Sequence, residues 1–200
     1  MASAFPVVAL AAAFGSLVVA CNSSGSPAAI VYGDAAAGNA ETPPTHGADV
    51  EAWLKTGAYK AWHCEPAAHT SRSPSPHGFD RVCSNDLVNP TAANADAGAW
   101  PLGAAEVKEL YTALQSDAAP EGYAVSLKTA ADVVEEDAGG PGSNWYWYER
   151  LTDGTIEADG LGFPNTSANS ICVACHVAAG SNAAYTPTTG GRDFIYTPVP

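Results

Sequence analysis

Apolar and polar positions alternate or recur at helical spacing in only a few stretches of this chain. Asp49 to Trp62 carries Val50, Trp53, Leu54 and Ala61 near one face of a helix, with Asp49 placed to cap it. Gly57 weakens that helix. Pro74 and Pro76 force an extended stretch, and His77 to Asn85 (HGFDRVCSN) then predicts a strand on which His77, Phe79 and Arg81 share a face. Gly122 to Leu127 alternates cleanly, with Tyr123, Val125 and Leu127 on one side. Asn144 to Leu151 (NWYWYERL) is the strongest strand signal. It sends Trp145 and Trp147 to one face and Tyr146 and Tyr148 to the other, with an Asp153-Gly154 turn after it. Phe194 to Tyr196 predicts a closing strand. Ala104 to Leu114 stays open, because Val107, Leu110, Tyr111 and Leu114 fit a helical stripe while Val107 to Tyr111 could equally be a strand.

The first 48 residues read differently. Pro6 to Ala20 is apolar, ends in small residues and is short for a membrane span, as in an export signal. Val18-Val19-Ala20-Cys21 resembles a bacterial lipobox, which implies cleavage before Cys21, lipidation there, and residence in the periplasm or cell envelope. No Lys or Arg precedes Lys55, a departure from the usual basic start. Asn22 to Ala48 is rich in Ser, Gly, Ala and Pro without sustained periodicity. The expected organisation is therefore a leader over 1–20, a flexible tether over 21–48, and one domain over 49–200.

Charge narrows the partners. With 21 acidic and 8 basic residues the formal charge is -13, which opposes binding to nucleic acid or anionic lipid. Such a surface suits solubility, and could steer a basic redox partner.

Chemistry concentrates near the carboxyl end. Cys172-Val173-Ala174-Cys175-His176 is a C-x-x-C-H motif, the attachment signature of a c-type haem. Two thiols three positions apart on a helical turn project to one side and can each add to a vinyl group. The adjacent imidazole then reaches the iron. The same residues could instead be a thioredoxin-like pair or part of a zinc site, although no βαβ pattern precedes them and no second C-x-x-C or H-x-H lies nearby. The only methionine is Met1, within the leader, so a thioether sixth ligand is excluded for the mature chain. His46, His63, His69 and His77 are the other histidines. His77 stands out for its place at a strand start, beside a prospective apolar wall and Arg81. Cys64 and Cys83 predict a disulfide in an exported chain, which would contribute roughly 3 kcal/mol; two free thiols are the alternative. One of the two aromatic pairs of Trp145 to Tyr148 could pack against a porphyrin, or both could be core.

Several segments fall in an order that resembles the cytochrome P-460 family, including the β-type cytochromes c-prime. They are Ser75-Pro76-His77-Gly78, Arg81-Val82, Asn85, Val107 to Tyr111, Trp145 to Tyr148 before Asp153-Gly154, Cys172 to His176, and Arg192 to Thr197. The likeness spans roughly Val50 to Val199. It implies an α+β fold, mostly antiparallel sheet with a few helices, with one covalent haem c packed against the sheet. It makes Val107 to Tyr111 a strand and His176 the proximal ligand of a five-coordinate or weakly six-coordinate iron, commonly in a dimer. The family's known activities are hydroxylamine oxidation and nitric oxide binding. Its hydroxylamine-oxidising members carry a haem-linked lysine in the stretch leading into the Val-Lys-Glu-Leu strand, and here Ser84 to Val107 contains none. The expectation is thus a lipid-anchored monohaem protein handling a small nitrogen oxide, with His77, Arg81, Glu106 and Glu109 as pocket candidates. The alternative is a plain electron carrier.

Overall fold

The computed structural model describes residues 42–72, 75–88, 99–114, 118–130, 140, 142–180 and 191–196. The leader, Cys21 and the tether up to residue 41 lie outside these.

One antiparallel sheet organises the described residues. Its strands are β1 (His63–Cys64), β2 (His69–Thr70), β3 (Phe79–Ser84), β4 (Ala105–Tyr111), β5 (Gly122–Lys128), β6 (Trp145–Arg150) and β7 (Ile156–Leu161). β3 to β7 form a meander of neighbours, and the short β1 and β2 both pair with the free edge of β3. The ambiguous segment at Val107 is therefore a strand. Its seven residues sit between two partners, where backbone pairing and burial on both faces override the helical spacing. β7 (IEADGL) was not anticipated, because Glu157, Ala158, Asp159 and Gly160 are weak strand formers.

Alternation assigns the two faces. Arg81, Cys83, Val107, Glu109, Val125, Leu127, Tyr146 and Tyr148 face helix α1 (Gly47–Thr56) and the 3₁₀ turn Ala58–Ala61. The predicted single helix over 49–62 is divided at Gly57, whose φ of 70° ends α1 in the left-handed region where glycine costs least. Asp49 does not cap α1; His46 occupies that position without a side-chain hydrogen bond, and Asp49 lies in the first turn. Docking holds the helix instead. Val50, Trp53 and Leu54 are buried, each contributing roughly 1.5–3 kcal/mol, more than the ~1 kcal/mol of a cap. A disulfide joins Cys64 on β1 to Cys83 directly opposite on β3.

The other face carries Trp145, Trp147, Glu106, Lys108 and Glu149. Over it lie three consecutive helical pieces, Ala168–Val173, Ala174–His176 and Val177–Ala179, here together α2. The aromatic run of β6 thus splits one pair per face, with the tyrosines in one core cluster and the tryptophans in the other. The expected closing strand at Phe194 to Tyr196 does not join the sheet. Arg192 and Ile195 form an isolated bridge across a tight turn.

Candidate functional site

Between the tryptophan face of the sheet and α2 lies a cavity of about 720 Å³, within the range of roughly 300–1,000 Å³ common for small-molecule and cofactor sites. Cys172, Cys175 and His176 line it from α2, and Glu106, Lys108, Trp147 and Glu149 line it from the sheet. Strand register explains the second set. Ser84, Glu106, Ser126 and Trp147 form one row across β3 to β6, and Val82, Lys108, Ala124 and Glu149 form the next. Side chains two positions apart on one strand share a face, so both rows open toward α2.

His176 is held from behind. Its Nδ1 donates to the Phe194 carbonyl at 2.7 Å, since a carbonyl can only accept. Nε2 is therefore the nitrogen left for a metal. Burial, then the Lys108 charge, push the ring down to about 3, so it is neutral at ordinary pH and keeps its lone pair. Trp147 meets the imidazole edge-on at 4.8 Å and Tyr196 does so at 5.4 Å, while the Tyr196 hydroxyl donates to the Cys175 carbonyl at 2.9 Å. Cys172 and Cys175 are free thiols, and burial pushes the Cys172 thiol well above its usual range.

His77 enters the cavity from the segment before β3. Gly78, at a φ of 71°, turns the chain there, so His77 does not share a face with Phe79 and Arg81 as strict alternation predicts. His77 Nε2 lies 2.8 Å from Glu149 Oε1, and both side chains are nearly fully buried. Glu106 accepts from Ser84 Oγ at 2.9 Å, and burial pushes its carboxyl up to about 7. Lys108 pairs with Asp80 at 3.4 Å. His69, at the rim, is tied to Glu65 at 2.8 Å and reaches Asp80 at 3.5 Å.

Arg81 and Glu109 are not brought to this cavity. They sit on the opposite face, where Arg81 Nε donates to Glu109 Oε2 at 2.7 Å and the hydroxyls of Tyr59 and Tyr111 donate to the same carboxylate at 2.6 and 2.7 Å. The period of two that carries Glu106 into the cavity carries Glu109 and its register partner Arg81 away from it. Lys108 and Glu149 are among the cavity residues that the sequence did not single out. Each lies two positions from a residue already suspected, Glu106 and Trp147, and that spacing was the available signal.

The donor set fits a c-type haem. Two thiols and a neutral imidazole share one lined space with the ring of Trp147 and the side chains of Val82 and Ile171. Buried polar atoms without a hydrogen-bond partner also occur on residues lining it, namely His77 Nδ1 and Trp147 Nε1. Orphaned buried groups are rare in folded proteins and call for a ligand or water. Among the described residues no three His, Cys, Asp or Glu side chains converge as a metal cluster, which is not the four-ligand arrangement of structural zinc. Cys64 and Cys83 are bonded to each other and stand apart from the site. No family model matches this chain and no curated protein matches it, so the site is understood from its own residues.

Proposed function

We propose that the chain is an exported monohaem c-type cytochrome of the P-460 type that binds or redox-converts a small nitrogen oxide such as nitric oxide or hydroxylamine. One observation carries this reading. The thiols of Cys172 and Cys175 and the neutral ring of His176 line the same cavity as the buried His77–Glu149 pair. Cys172, Cys175 and His176 would hold a haem there, and the haem would supply one-electron chemistry.

The chain's own residues handle protons. A carboxylate only accepts, so the contact with Glu149 puts a proton on His77 Nε2, and Nδ1 has no hydrogen-bond partner among the described residues. That atom can take a proton from a bound N–H or O–H group, with Glu149 stabilising the charge that develops. Glu106 is poised near neutrality and can exchange a proton in the same space. Lipidation at Cys21 would hold the protein on a membrane of the cell envelope, its acidic surface would meet a basic redox partner, and a homodimer fits the family resemblance.

A second reading, a plain electron carrier, draws on the same buried His77 Nδ1, which could instead serve as a further ligand to the group held there. Titration of the reduced protein with carbon monoxide or nitric oxide separates the two. Rapid saturable spectral change is the expected result; spectra inert to both gases would establish the carrier.

A further inference from the structure

A strained turn stands behind His176. Arg192 and Ile195 exchange backbone hydrogen bonds of 2.9 Å, leaving Asp193 and Phe194 as the two central residues. Their φ values are 42° and 67°. Positive φ at both central positions suits Asn-Gly, and for a bulky aromatic it is a true outlier. Strain of this kind persists only where the surroundings over-determine it, and it gathers at functional sites.

The surroundings here are explicit. The buried Asp193 carboxylate accepts from Lys128 Nζ at 2.7 Å, from the Trp100 backbone N–H at 3.0 Å and from Trp145 Nε1 at 3.2 Å. Phe194 is buried in the tryptophan cluster and its N–H donates to the Gly180 carbonyl at 2.9 Å. The turn's product is the Phe194 carbonyl, placed 2.7 Å from His176 Nδ1. We infer that Asp193, clamped by Lys128 and Trp145, is a positioning residue. It holds an unfavourable turn so that the Phe194 carbonyl accepts a hydrogen bond from Nδ1–H, which keeps Nε2 for the metal and strengthens the imidazole as a ligand. The hydrogen bond belongs to the chain alone, whereas its effect on iron rests on the haem reading above.

The test uses the mature full-length chain. Lys128→Met combined with Asp193→Ala removes both charges of this pair together. Trp145→Phe keeps the ring and deletes one donor to Asp193. Haem content is measured first as the pyridine haemochrome, so absence of haem in the unsubstituted protein sinks the haem reading by itself. The His176 Nδ1–H resonance is then followed by nitrogen-resolved NMR, in the reduced carbon monoxide form where haem is present. Its exchange with water is expected to quicken about tenfold in the double variant and by a smaller factor in Trp145→Phe, as for loss of an outer-shell hydrogen bond. In haem-loaded protein the midpoint potential should rise by about 59 mV for a tenfold loss of ferric stabilisation. Unchanged exchange in a folded double variant overturns the inference. Should that variant not fold, unchanged exchange in Trp145→Phe overturns it.

Discussion

The two faces of one sheet treat buried charge in opposite ways. Under α1, the Glu109 carboxylate receives Tyr59, Tyr111 and Arg81, and each donor is satisfied by it. Under α2, His77 and Trp147 each keep a buried atom with no hydrogen-bond partner, around a cavity of about 720 Å³. Trp53 Nε1, on α1 itself, is a comparable orphan on the other face. A closed polar network rigidifies a core, whereas unspent hydrogen-bonding capacity beside a shaped space marks a binding site. Charge alone would not have told the faces apart, since both hold carboxylates and cations.

The contrast can be broken most severely at α2. Replacing Cys172 and Cys175 by Ser should abolish covalent haem altogether, read as loss of the c-type pyridine haemochrome, while the far-UV circular dichroism of the sheet persists. Retention of covalent haem would break the account of the cavity face.

On the sealed face, Glu109→Ala should cost about 3 kcal/mol in urea unfolding, toward the low end for a buried pair because Arg81 is about one-quarter exposed. Burial alone would raise the Glu109 carboxyl, but the hydrogen bonds from Tyr59, Arg81 and Tyr111 outweigh it and lower the value. A depressed folded value means the contribution is present above the unfolded carboxyl range near 4.5 and is lost as pH falls through the folded value. The variant should therefore lose part of the acid-side steepness of the wild-type stability curve. Its haem spectrum should not move.

The disulfide should act similarly and slightly less. Replacing Cys64 and Cys83 by Ala should lower stability by up to about 3 kcal/mol, again without a change in ligand binding. An altered gas titration would show that the two faces are coupled.

The smallest effect lies back in the cavity. Glu106 is raised to about 7, so its contribution to stability is present below the unfolded value near 4.5 and fades as pH climbs through about 7. Glu106→Gln should remove a pH-dependent step near 7 in the absorption spectrum or in gas affinity. A step that survives the substitution belongs to another group.

Much of this division was legible in the chain itself. The β6 run NWYWYER declared its two faces through strict alternation, and C-x-x-C-H declared its thiols through spacing. Cys64 and Cys83 were paired on compartment logic and are found bonded across neighbouring strands. The failures have physical causes. Arg81 was put beside His77 because the strand was started two residues early, across Gly78, whose positive φ resets the alternation. Glu149 was invisible because its importance comes from pairing with His77, 72 positions away in sequence and adjacent only after the sheet forms. The segment at Phe194 looked like a strand because its residues are β-formers, yet Asp193 and its three donors bend it into a turn.

Most directly, the central claim is tested by mass spectrometry of the peptide spanning Cys172 to His176 from protein made in a host that matures c-type cytochromes. The account predicts that this peptide carries the mass of one haem on its two cysteines. A peptide bearing free thiols or a Cys172–Cys175 disulfide, in folded protein, would contradict it.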